Sequence, residues 1–195
     1  MTLRIDSPKK IPSHLIYEMD EGKPIYYRWY KEFLNENEQN EETMPESSLQ
    51  AWLKSHLAYL MITIYQQFKG YVVTAGEQGL SLKKKTWRGV DVAIFNRNNF
   101  VLNNEFAKLP PDYIIEINIK GYYESKEAME RDFTRKNQQL LEFGVKKVIW
   151  IFTDSQAVIS ITKEGETAYG WKDEVPVMAG VSFCVQALID KYYEE

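Results

Sequence analysis

The chain has 195 residues, 44% of them hydrophobic, enough for one domain with a sizeable core. Its 24 basic and 28 acidic residues give a formal net charge of -4, which excludes nucleic-acid binding by bulk charge alone but leaves room for an enzyme with a local basic cleft. One cysteine and two histidines exclude an intrachain disulfide, a cysteine-rich zinc site and a histidine-dominated metal centre, and the lack of a long apolar run sets the expectation of a soluble, cytoplasmic chain without membrane contact.

In chain order, residues 15–30 read as two aromatic-rich runs around Asp20, Glu21 and Gly22, a β-hairpin. An acidic polar loop over 35–48 follows. Leu49, Leu53, Leu57, Leu60 and Ile64 recur at steps of three and four and predict a helix over 47–68, capped by Ser47 or Ser48. Strands are expected at 71–76, 79–84, 88–96 and 112–119. A charged helix over 124–144 closes on Gly144. Two further strands, 146–153 and 157–162, turn at Thr153–Ser155, and a helix over 182–195 ends the chain. These elements make a mixed α/β domain whose central sheet carries helices on at least one face. It reads as a single domain over 1–195: hairpin and acidic loop over 1–46, core over 47–162, C-terminal extension over 163–195.

Three polar residues interrupt the apolar runs: Asp91 in VDVAIF, Glu116 in IIEINI, and Lys120 just beyond. Strand alternation places Glu116, Asn118 and Lys120 on one face and Ile115, Ile117 and Ile119 on the other. An isolated ionised carboxylate in a core is costly and would take up a proton. A divalent cation shared by Asp91 and Glu116 on neighbouring strands removes that cost, since Mg²⁺ needs only one or two carboxylates beside water and phosphate. The plainer reading is a surface pair of Glu116 with Lys120 on a wet face.

A strand bearing Asp, then a strand bearing Glu followed by lysine, resembles the PD-(D/E)XK nuclease superfamily and its restriction-endonuclease-like fold. More narrowly, PPDYIIEINIKG followed by RDFTRKNQQLLEFGVKKVIWIF resembles the Uma-two family, classed as candidate restriction endonucleases. Pro111, Asp112, Glu116, Asp132, Lys136, Gly144 and Val145 fall at that family's spacings, and YEMDEGKPIYY resembles its opening hairpin. The resemblance implies a restriction-endonuclease-like core with a mixed central sheet flanked by helices behind an N-terminal β-hairpin. It also implies Asp91 and Glu116 as metal ligands, with the backbone carbonyl of Ile117 as a third. For the lysine, family spacing points to Lys136 and local geometry to Lys120. The chain departs from the pattern at Asn118, where the superfamily has its lysine, and at Leu140, where the family has tyrosine. INIKG replaces the serine and proline expected after the glutamate, and Trp150 is displaced by one position.

Two functions are carried forward. The first is a Mg²⁺-dependent endonuclease acting on DNA, with Mn²⁺ as a substitute metal and, for cutting both strands, an expected homodimer with the aromatic hairpin as a candidate interface. The second is a catalytically degenerate module of the same fold that binds nucleic acid or a protein. The basic turn at 83–85 with Trp87 and Arg88 offers phosphate contacts through Lys84, Lys85 and Arg88 and a stacking ring in Trp87, or else a plain exposed turn. Glu46 and Glu77 are read as solvent-facing in preference to site carboxylates, His56 as a core or boundary residue, and Cys184 as a small buried hydrophobe.

Overall fold

A computed structural model describes residues 11–35, 46–67, 70–178 and 180–194; most of the acidic loop lies outside them. The aromatic runs pair as β1 (Ile16–Asp20) and β2 (Lys23–Tyr26), turning at Glu21–Gly22, and a short helix α1 (Tyr30–Asn35) follows. Helix α2 (Ser48–Gln67) begins with a reciprocal cap: Gln50 N–H donates to Ser47 Oγ at 3.3 Å, and Ser47 N–H to Gln50 Oε1 at 3.1 Å. Strand β3 (Tyr71–Lys83) then pairs antiparallel with β4 (Thr86–Asn96) along its whole length.

Next come β5 (Tyr113–Ile117), α3 (Lys126–Phe143), β6 (Lys147–Phe152) and β7 (Ala157–Thr162). The chain closes with β8 (Gly165–Gly170), β9 (Val175–Met178), β10 (Val181–Phe183) and α4 (Val185–Glu194). Strands β5 and β6 are parallel, so their link must cross over the sheet, and α3 is that crossover. The other pairings are antiparallel. Among the described residues the sheet has eight strands in the order β2-β1-β4-β5-β6-β7-β8, with β3 also on β4, and β9 and β10 form a separate pair.

Each face of the sheet has its own core. Leu53, Leu57 and Met61 of α2 pack on Val92, Ile94, Ile115, Ile117, Ile149 and Ile151, joined by Val175, Val177 and Phe183. On the other face Leu140 of α3 packs on Val90, Phe95, Ile114, Val148 and Trp150. Alternation along β5 therefore sends Ile115 and Ile117 towards α2, and Ile114 and Glu116 towards α3.

Two expectations change. The two runs at 71–84 form one strand, because a bulge between Ala75 and Gln78, with Gly76 at φ +129°, absorbs the break in alternation. Residues 163–195 hold three strands besides the helix. GETAYG has no apolar alternation and VPVM contains a proline, so neither displays an ordinary strand pattern.

Gly144 ends α3 at φ +122°, with the Val145 N–H returning to the Leu140 carbonyl at 3.1 Å. A Cβ there would lie 2.9 Å from Pro110 Cγ. Gly144→Ala is expected to destabilise the domain by roughly 1–3 kcal/mol, read as a lower urea midpoint at unchanged m-value.

Candidate active site

β4 sets the site. Its first edge is taken by β3, so β1 and β5 share the second: β1 at Trp87, and β5 from Val92 to Ile94. Residues Arg88–Asp91 between them face no partner strand on that edge, and side chains fill the gap. The Gly89 N–H donates to Glu18 Oε1 at 3.1 Å, and the Gly89 carbonyl accepts from Lys136 Nζ at 3.0 Å. Farther along, Asp91 Oδ2 accepts the Ile117 N–H at 2.9 Å, standing in for a ladder acceptor.

Behind this edge lies a core of buried ions. Lys136 Nζ sits 2.7 Å from Glu18 Oε1 and 2.7 Å from Glu116 Oε1, with the Tyr17 hydroxyl at 3.3 Å. The rings of Tyr17 and Trp150 lie 5.4 and 5.2 Å from the ammonium, close enough for cation–π attraction. Glu18 Oε2 also holds the Arg88 guanidinium at 2.7 Å, and Arg88 reaches Asp132 at 3.1 Å and Gln139 at 2.9 Å. Glu18, Arg88, Glu116 and Lys136 are all at most 3% exposed. Two carboxylates against two cations leave this inner set balanced, which offsets a burial cost of several kcal/mol per ion.

Glu116 is the strained member. Its Oε1 meets Lys136 at ion-pair distance but without hydrogen-bond alignment, so this buried oxygen has no directed donor. Burial pushes its carboxyl up to about 7; Lys136 opposes the rise, while Asp91 and Glu18 add to it. Burial also works against the Lys136 charge, but Glu116 and Glu18 outweigh it and hold the ammonium above the usual lysine range.

Asp91 belongs to a second, wetter group. Lys120 Nζ lies 2.6 Å from Asp91 Oδ1, 2.6 Å from Glu46 Oε1 and 3.3 Å from Glu77 Oε1. Lys54 of α2 adds contacts to Asp91 at 3.1 Å and Glu46 at 2.5 Å, and the Tyr27 hydroxyl donates to Glu77. Glu46, Lys54, Glu77 and Lys120 form the floor of an open cleft of about 740 Å³ that Tyr27, Arg28, Trp29 and Phe152 also line. Asp91, 1% exposed, lies directly beneath that floor.

The sequence expectations meet this geometry unevenly. Asp91 and Glu116 come from neighbouring strands, and each lysine candidate reaches one of them: Lys136 takes Glu116 and Lys120 takes Asp91. The expected shared face of Glu116, Asn118 and Lys120 is corrected. The strand stops at Ile117, and Asn118 at φ +58° breaks the alternation, so Lys120 does not pair with Glu116. The Asn118 side chain turns instead to Thr153, donating to its Oγ1 at 2.7 Å and accepting its N–H at 2.9 Å.

Arg88 is also corrected: at 0% exposure, locked to Glu18 and Asp132, it has no surface with which to touch nucleic acid. Trp87 is half-buried, its ring packed on Phe106 at 5.2 Å, while Lys84 and Lys85 are exposed in the β3–β4 turn. Glu46 and Glu77, read as solvent-facing, both reach Lys120. His56 is exposed, stacked on Trp52 at 3.9 Å, and Cys184 is half-buried. Sequence reading missed Glu18 and Lys54. In the hairpin Glu18 looks like any alternating polar residue, and Lys54 like a solvated helix position.

Among the described residues no group of three His, Cys, Asp or Glu side chains is arranged to hold a metal ion; the carboxylates are gathered by lysines instead. The donor chemistry nonetheless suits a hard divalent cation. Asp91 and Glu116 offer carboxylate oxygens, and Glu116 Oε1 has no directed donor. The Asn118 N–H bonds the Ile151 carbonyl on β6 at 2.9 Å, and across this trans peptide the Ile117 carbonyl points the other way, to the Asp91 side.

A carboxyl raised from about 4.5 unfolded to about 7 folded binds its proton more tightly in the native state. Stability from this group is therefore present at low pH and lost as pH rises through that window. In chelator, the melting temperature of Glu116→Gln is expected to gain on wild type between those pH values, equivalent to at most about 3 kcal/mol.

The architecture has a solved counterpart. A DUF820 protein from Anabaena variabilis ATCC 29413, described as a candidate nuclease, superposes with a TM-score of 0.66 at 16% identity, covering 91% of this chain and 92% of that one. No protein-family model matches the chain, and no curated protein matches it. At this identity the likeness is one of fold: a large mixed sheet flanked by helices, shared by the two chains.

Proposed function

We propose that the chain is a metal-dependent endonuclease of the PD-(D/E)XK type, akin to the Uma-two family, that hydrolyses phosphodiester bonds in DNA. The observation that carries this reading is the pair Asp91 and Glu116. They sit on neighbouring strands, each 1% exposed, each with its own lysine within 2.7 Å, beside an open cleft. Replacing a buried ion pair such as Glu116 with Lys136 by well-packed apolar residues is often neutral or stabilising, so stability alone does not account for this pair.

Asp91, Glu116 and the Ile117 carbonyl are the residues that would hold Mg²⁺, or Mn²⁺ in its place. When bound, such an ion supplies a water of lowered pKa and neutralises charge on the scissile phosphate. Lys120 presents a cation at the cleft floor where a phosphate arrives. Lys136, held by Glu18, the Gly89 carbonyl and Tyr17, fixes the position of Glu116 from behind. Preorganised charge of this kind needs no rearrangement during reaction.

A second reading, a module of the same fold that binds without cutting, is favoured by Asn118. It stands where the superfamily lysine belongs, and its side chain is committed to Thr153. Cleavage of plasmid and single-stranded DNA with Mg²⁺ or Mn²⁺ separates the two. Asp91→Asn, Glu116→Gln and Lys136→Met are each expected to lower the rate about 10²- to 10³-fold, with melting curves confirming that each variant is folded. Cleavage that survives in both carboxylate variants sinks the nuclease assignment. Absent cleavage together with absent metal binding by calorimetry selects the module.

A further inference from the structure

The cleft has one wall that the chemistry above does not use. Trp29 stacks on Tyr27 with ring centroids 5.3 Å apart and planes 18° from parallel, and Phe152 lines the same recess. Trp29 and Phe152 are half-buried, leaving ring surface open to the cleft. Arg28, between the two stacked residues, is exposed and makes no ion pair among the described residues; only its backbone is engaged, donating to the Lys120 carbonyl at 2.8 Å. The stacked wall is thus tied to the loop that bears Lys120. Side-chain contacts connect it as well: Tyr27 bonds Glu77, which meets Lys120, which meets Asp91.

We infer that this wall is a stacking subsite for an unpaired DNA strand, so that the enzyme takes single-stranded or locally unpaired DNA rather than intact duplex. The inference rests on the nuclease reading for its ligand. Asp91 lies beneath the cleft, not on an open surface, and a volume of about 740 Å³ matches a pocket for small-molecule-sized groups. In a duplex the bases face inward on one another, so it offers a recess of this kind only its backbone. A free strand can lay a base against Trp29 and carry its phosphate to Arg28. Stacking on aromatic rings is sequence-tolerant, because every base has a π-face.

Charge sharpens the inference. Arg28, Lys54 and Lys120 line the cleft, but Glu46, Glu77 and Asp154 line it too. Lys54 and Lys120 are already neutralised by Asp91 and the two glutamates, which leaves Arg28, among the described residues lining the cleft, as the cation free for phosphate. Binding should therefore be driven by stacking and depend only weakly on salt. One phosphate contact on a single strand gives a slope of log affinity against log salt of roughly -0.7.

The test is fluorescence anisotropy of a labelled oligothymidylate in chelator, where nothing is cut, against a duplex and an RNA strand of matching sequence. Wild type is expected to prefer the DNA single strand over the duplex by about 10-fold or more. Trp29→Leu should weaken single-strand binding about 10-fold, while Trp29→Phe, which keeps a stacking ring, restores most of it. Arg28→Gln should flatten the salt slope towards zero with a smaller loss of affinity. Equal affinity for duplex, tighter binding of the RNA strand, or a folded Trp29→Leu variant with undiminished affinity would each overturn the subsite. Loss of the nuclease reading shows separately, as intact single-strand binding without cleavage in Mg²⁺.

Discussion

Everything distinctive about this domain depends on one interrupted hydrogen-bonding edge. β4 is paired along one side, but on the other β1 and β5 leave the stretch from Arg88 to Asp91 without backbone pairing. Backbone groups inside a protein need partners, and leaving one unmet costs about 1–3 kcal/mol. Glu18, Lys136 and Asp91 meet that need at the gap by offering side chains to backbone atoms. Carboxylates and an ammonium are drawn into the core for this purpose, and each then requires a counter-ion. Arg88, Glu116 and Lys120 complete the set. The break in the sheet and the concentration of charge are one feature, seen from the backbone and from the side chains.

Much of this was legible in the sequence. The hairpin, the capped α2, the charged α3 closing on Gly144, and the strands carrying Asp91 and Glu116 all follow from local periodicity and punctuation. Local signals stop where pairing partners begin. That Glu18 is buried depends on Lys136 and Arg88, which are 118 and 70 residues away, and nothing within the hairpin announces either. Arg88, between a basic turn and an apolar strand, has the same appearance whether it reaches solvent or turns inward. Its burial is decided by where β1 docks, a fact of topology and not of propensity.

The departure at Asn118 shows how a short motif can mislead about direction. Alternation extends a strand's faces only while the strand lasts, and here it ends two residues early, with Asn118 in the left-handed region that asparagine tolerates better than most residues. Beyond that turn the chain runs back beside Tyr27, and Lys120 arrives at Asp91 from the cleft side. The two lysine candidates consequently divide the two carboxylates between them. Lys136 secures the buried one from within, and Lys120 covers the other at the boundary with solvent.

The placement of Glu18 also constrains the order in which the molecule can assemble. The hairpin is the earliest part of the described chain to be synthesised, yet its buried carboxylate has neither cation until Arg88 and then Lys136 have been added. Docked on β4 before Lys136 exists, it would hold Arg88 alone and leave the Gly89 carbonyl without its donor, so in a nascent chain the hairpin gains by remaining in water. A segment made before its partners would be among the last to find its native place, and its docking would mark the moment when both ends of the charge network exist together.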